Sequence, residues 1–225
     1  MTKQRMIDWD HLANDLALNC ETYHQDYYEG KRFSGPSLHF HRRALTAIAG
    51  EKTEMVYALL VSWGMHRMGG GPQMNEFDIF SASILEHLPA IQSLCSKNID
   101  NVTETEFNIL EVVFENLNAM RSSRKIVAFS KILAHYLPDI IAPIDNEYTL
   151  RFVFGRPRIP DHWDEFGLFR NIHFNLFKKV VTHEHFLLSA SQWLNNPDFP
   201  WDTSLPKIVD NLIIGKVIAD KKLFI

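Results

Sequence analysis

The chain has 225 residues, 46% of them hydrophobic, including sixteen Phe and five Trp, which is enough apolar surface to close a core without disulfides or a structural metal. A formal net charge of −4 excludes a protein that coats nucleic acid through bulk positive charge, while leaving room for a local basic face. The two cysteines, Cys20 and Cys95, are too few for a metal quartet or a disulfide framework and are expected to be reduced. Composition does not shift midway, which predicts one domain over 1–225. Charges occupy the first twelve residues where a signal peptide needs its apolar run, and no stretch reaches the ~18 uninterrupted apolar residues of a spanning helix. The expected setting is the cytoplasm or nucleoid, with no membrane partner.

In chain order, apolar residues recurring at three- and four-residue steps predict helices near 8–28, 36–49, 53–67 and 75–95. Between the first two, the segment from Tyr27 to Arg43 concentrates aromatic, basic and histidine residues around a Gly35-Pro36 turn. Lys31, Arg32, Arg42 and Arg43, with no acid among residues 31–43, are candidate phosphate contacts, and Phe40 and His41 are candidate walls of a base pocket. A loop packed on its own core explains the same residues. Ser37 is a candidate cap of the following helix. His39 and His41, like His183 and His185, are two positions apart, which is not the i, i+4 spacing of a helical metal pair. No metal or cofactor is therefore expected.

Trp63 to Met68 closes the third helix with large apolar residues, which reads as core; Trp63 and Met65 are alternatively base-pocket candidates. Gly69-Gly70-Gly71-Pro72 reads as a turn, because a phosphate loop needs a preceding strand and a lysine near its end. Further on, Phe107, Leu110, Val113, Phe114 and Leu117 share one stripe of a helix over 103–118, opened by a Thr103–Glu106 capping box. Helices near 124–137, 146–154, 164–194 (broken) and 204–221 complete an all-α reading, since alternating β-branched runs are nearly absent.

The segment Arg121 to Arg151 is the most informative. It begins with Arg121, Arg124, Lys125 and Lys131 without an acid, turns at Pro138 and Pro143, and opens a new helix with Pro143-Ile144-Asp145. Asp145 is placed to cap that helix, accepting backbone N–H groups with the helix dipole favouring its charge. A carboxylate held there is also ionised and able to face positive charge developing on a substrate.

These residues resemble the segment of helix-hairpin-helix DNA glycosylases in which a lysine near a helix start precedes a Pro-Val-Asp by some twenty residues. The likeness covers about residues 121–152. It implies an all-helical fold, DNA as partner, and cleavage of the N-glycosidic bond of a damaged or modified base. By the same resemblance Asp145 would support the sugar cation, and Lys125, or Lys131 as its rival, would be the nucleophile of a lyase-competent enzyme. Arg121, Arg124 and Arg151 would join the phosphate contacts. Where the family commonly has a Leu-Pro-Gly-Val-Gly hairpin, this chain has Asn118-Ala119-Met120-Arg121-Ser122-Ser123-Arg124, lacking the glycines that let backbone amides approach a phosphate. Two alternatives follow: a non-catalytic helical module binding nucleic acid or a protein, and a helical structural component.

Overall fold

The computed structural model describes residues 7–30, 36–66, 73–122, 124–160 and 163–222. They are helical throughout their regular structure, with no strand and one isolated antiparallel bridge between Met74 and Met120. None of these helices is long and apolar enough to cross a membrane.

The first expected helix is two: α1, Trp9–Leu18, and α2, Cys20–Glu29. The break falls at Asn19, whose side-chain amide donates to the carbonyl and carboxylate of Asp15, offering the backbone a local alternative to continuing the helix. Next come α3, Pro36–Thr46, α4, Ala49–Ser62, and α5, Phe77–Gln92; because α3 already begins at Pro36, Ser37 lies inside its first turn and is not the cap expected of it. The predicted 103–118 helix is a short α6, Glu104–Phe107, followed directly by α7, Ile109–Asn116. Its capping box is formed in both directions, Glu106 N–H donating to Thr103 Oγ1 and Thr103 N–H to Glu106 Oε2.

After α8, Ile126–Tyr136, a π-helical turn Asn146–Leu150 runs into α9, Arg151–Phe154, which ends on left-handed Gly155 at φ 70°. The expected break in 164–194 lies at Thr182 and His183. Before it run α10, Glu165–Asn171, a π stretch Ile172–Phe177 and α11, Lys178–Val181; after it comes α12, Glu184–Trp193. The last helix, α13, spans Leu205–Lys222.

All these elements feed one continuous core, in which Phe80, Phe107, Phe169, Phe177 and Phe186 are fully buried. A small satellite of Tyr27, Trp201, Ile214 and Ile218 lies beside it. Helix α13 presses against α2 so closely that a Cβ on Gly215 would stand 1.9 Å from the Tyr23 carbonyl oxygen, so only glycine fits that crossing.

The connection from α8 to the π turn is unusual for a loop in being buried: Ile140, Ile141, Ala142 and Ile144 are at most 1% exposed. Buried backbone must be paired, and side chains do it. Ala142 N–H donates to His173 Nε2 at 3.3 Å and Ile144 N–H to Ser130 Oγ at 2.9 Å. The loop delivers Asp145 to one place.

Candidate functional site

Asp145 caps the π turn as expected, its Oδ1 accepting Glu147 N–H at 2.8 Å. Its Oδ2 accepts from Lys131 Nζ at 2.9 Å, from the middle of α8. Burial pushes the Asp145 carboxyl up, but the Lys131 ammonium and the Glu147 and Tyr148 amides outweigh it and hold the group below its usual range. Lys131 also lies over the Trp63 ring, 5.2 Å from its centroid.

Both members of this pair line a cavity of about 320 Å³. Its aromatic walls are Tyr27 from α2, Trp63 from the end of α4, Tyr148 from the π turn, and Trp201. Polar groups come from Ser37, Ser62, Lys207 and Asp210, the last two on α13. An apolar, aromatic pocket with a few convergent polar groups is what a small flat ligand requires. A π-helical turn beside it is a further mark of functional sites.

Behind the cavity runs a buried polar chain. Lys207 Nζ donates to Asp210 Oδ2 at 2.8 Å and to Asn211 Oδ1; Asn211 Nδ2 donates to Asp202 Oδ1 at 2.6 Å; and Asp202 Oδ2 lies 2.7 Å from His24 Nε2. Burial pushes the Asp210 carboxyl above its usual range against the pull of Lys207. A second chain backs the other wall. His135 Nδ1 faces the Lys131 carbonyl at 2.7 Å, which assigns the proton there; His135 Nε2 then accepts from His41 Nδ1 at 2.9 Å, and His41 Nε2 accepts from Thr203 Oγ1 at 3.2 Å. Burial depresses both imidazoles, His135 to about 4 and His41 well below 6.5.

The remaining expectations fall in different places. Lys125 is not beside Asp145. Its Nζ donates to the carbonyls of Phe114 (3.2 Å) and Glu115 (2.6 Å), closing the end of α7, where a cation complements the helix dipole. Its own N–H and that of Ile126 donate to Glu165 Oε2. Met65 is buried in the core, its carbonyl bonded to Met74 N–H, and Phe40 packs against the same core. His41 belongs to the chain behind the wall, its ring 5.0 Å from that of Trp201, so neither it, Phe40 nor Met65 lines the cavity. Trp63 does.

Of the basic residues, Arg121 pairs with Glu76 at 2.5 Å and Arg151 with Glu147 at 2.8 Å. Arg42 and Arg43 are exposed and line a separate open groove of about 740 Å³ with His39 and Pro138. Arg124 is exposed. Lys31, Arg32 and the Gly69–Pro72 turn lie outside the described residues. In the stretch 118–122, Asn118 N–H donates to Ser83 Oγ and Arg121 N–H to the Gln73 carbonyl, which commits two amides internally.

Sequence reasoning missed Lys207, Asp210 and Trp201. The signal was present: a lysine and an aspartate three residues apart, interleaved with the apolar Ile208, Val209, Leu212 and Ile213, are costly unless they have a job. Among the described residues one trio, Cys20, Glu21 and His185, brings metal-ligand atom types within 4.8 Å of one another. Burial pushes the Cys20 thiol up to about 11, away from the thiolate a metal needs, and Glu21 is already engaged by Ser189 and His185. The chain matches no protein-family model, no curated protein and no solved structure.

Proposed function

We propose that the chain is a DNA glycosylase of the helix-hairpin-helix kind, acting on a damaged or modified base, with Lys131 as nucleophile and Asp145 as its charge partner. The observation that carries this reading is the Lys131–Asp145 pair, 2.9 Å apart in the wall of an aromatic-lined cavity. A nucleotide extruded from the duplex would place its base between the aromatic walls and its sugar toward that pair. Lys131 gives one ammonium proton to water as the nucleotide enters and then attacks C1′ of the deoxyribose, the C1′–N bond breaking as the Nζ–C1′ bond forms. The electron pair leaves with the base, which takes up the proton the new ammonium gives up. The C1′–O4′ bond then breaks as the nitrogen lone pair forms the C=N bond of a protonated Schiff base on Lys131, O4′ takes a proton from water, and the Asp145 carboxylate faces the positive charge on the sugar.

A non-catalytic module is favoured by two observations: the amides of Asn118 and Arg121 are bonded internally, and Arg121 and Arg151 are already paired with acids. Borohydride trapping on duplexes carrying modified bases and on abasic DNA separates the two. A covalent protein–DNA adduct is expected with wild-type protein. DNA binding without any adduct or base release across the panel sinks the catalytic reading and leaves the module.

A further inference from the structure

The chemistry above leaves unused a second pair of opposite charges in the same cavity. Lys207 and Asp210 have side chains only 8% and 5% exposed and stand about one turn apart on α13. Around them the helix is fully buried and apolar at Ile208, Val209, Leu212 and Ile213. Desolvating an ion pair there costs several kcal/mol per ion, and apolar residues would serve folding as well or better. The pair is also locked from behind, since Lys207 donates to Asn211, and Asn211 to Asp202. It is a preorganised donor beside a preorganised acceptor, with the ammonium 5.8 Å from the Tyr27 centroid and 5.6 Å from that of Trp201.

The complement of such a pair is a flat ring with an acceptor next to a donor on one edge. An ammonium has three protons; Asp210 and Asn211 take two, which leaves one for a carbonyl oxygen. Asp210 has capacity beyond the single Lys207 bond to accept a ring N–H. A carbonyl beside a ring N–H is a lactam edge, as in oxopurines and uracil-type pyrimidines. The amidine edge of adenine or cytosine offers Lys207 a single ring-nitrogen lone pair and Asp210 a less acidic amine. We propose that Lys207 and Asp210 read the lactam edge of a nucleobase held between the aromatic walls, which makes a lactam-edged base the ligand class of this cavity; the assignment rests on the glycosylase reading of the same site.

Titration of the purified protein with free hypoxanthine and adenine, of equal size and differing in this edge, tests the assignment by calorimetry. Uracil and cytosine form a second such pair, and whichever lactam base binds tighter identifies a purine or a pyrimidine source. Hypoxanthine is expected to bind at least ~10-fold tighter than adenine, as a charge-assisted hydrogen bond would give. That ratio is expected to shrink in Asp210→Asn, or in Lys207→Met if the first variant does not fold. Equal binding of the two edges, a preference for adenine, no binding of any base, or a ratio unchanged in both variants overturns the proposal. Borohydride trapping of wild-type protein on abasic DNA is run in parallel. Abasic DNA contains no base to read, so failure there counts against the Lys131 chemistry, whereas failure of the titration counts against the edge reading.

Discussion

The two ion pairs of the cavity are built in opposite ways. Lys207 and Asp210 share one helix and sit 8% and 5% exposed, each within a chain of buried partners reaching His24. Lys131 and Asp145 come from α8 and from the buried loop after it, and their side chains are 12% and 32% exposed. The inner pair is held by its neighbours and can only present a fixed pattern of charge. The outer pair is the more exposed of the two and comes from two separate elements. Rigidity and exposure are thus divided between two charge pairs of one cavity.

The largest effect that would sharpen this contrast is on chemistry. Lys131→Met is expected to abolish the borohydride adduct and to lower base release at least ~1000-fold, while costing about 2 kcal/mol in urea unfolding by leaving the Asp145 carboxylate without its cation. Lys125→Met is expected to show the reverse, an adduct near the wild-type level with about 1 kcal/mol of stability lost from the end of α7. If Lys125→Met removes the adduct and Lys131→Met keeps it, the assignment of the outer pair is wrong.

Breaking the inner chain should act on folding. Asp202 is fully buried and accepts from Asn211 while pairing with His24, so Asp202→Ala strands polar groups and is expected to cost about 3 kcal/mol in urea unfolding. A loss below about 1 kcal/mol would mean that the chain is wetter and looser than its burial indicates.

Stability should also depend on pH through the two imidazoles nearest the outer pair's supports. His135 and His173 each give the Nδ1 proton to a helix carbonyl and accept at Nε2, and burial lowers each from 6.5 to about 4. Above pH 6.5 both are neutral folded or unfolded, so the stability is fully present. As pH falls below 6.5 the unfolded chain takes up protons that the folded chain refuses. The contribution of these histidines therefore drops through that window and levels off below about 4, amounting to roughly 2 kcal/mol per histidine at pH 5. Urea midpoints at pH 7 and pH 5 measure this, and His173→Gln should reduce the difference; a midpoint independent of pH would contradict it. The smallest effect, remote from both pairs, is Thr103→Ala, expected to cost about 1 kcal/mol through loss of the capping box.

Much of the fold is legible in the chain because helices declare themselves locally. The stripe Phe107, Leu110, Val113 and Phe114 is buried as its period requires, and Thr103 and Glu106 cap as their spacing requires. The site is only partly legible. Asp145 is visible at its helix start, but two lysines of equal chemical character precede it, and spacing favours the one that the structure uses to close α7. Trp63 is visible as a pocket candidate, whereas Met65, two residues later, turns into the core beyond Gly64 at φ 77°. Lys207 and Asp210 belong to the cavity only because α13 returns to lie on α2 across Gly215.

By itself, then, the sequence determined the helical character of the chain and caps such as Thr103 with Glu106 and Asp145, since each depends on residues within a few positions of one another. Only the tertiary structure decided which lysine meets Asp145, which aromatics face a cavity, and that a second charge pair lines the same cavity. Those contacts join α2, α4, α8 and α13, elements far apart in the chain, and local periodicity carries no record of which distant helix faces will meet.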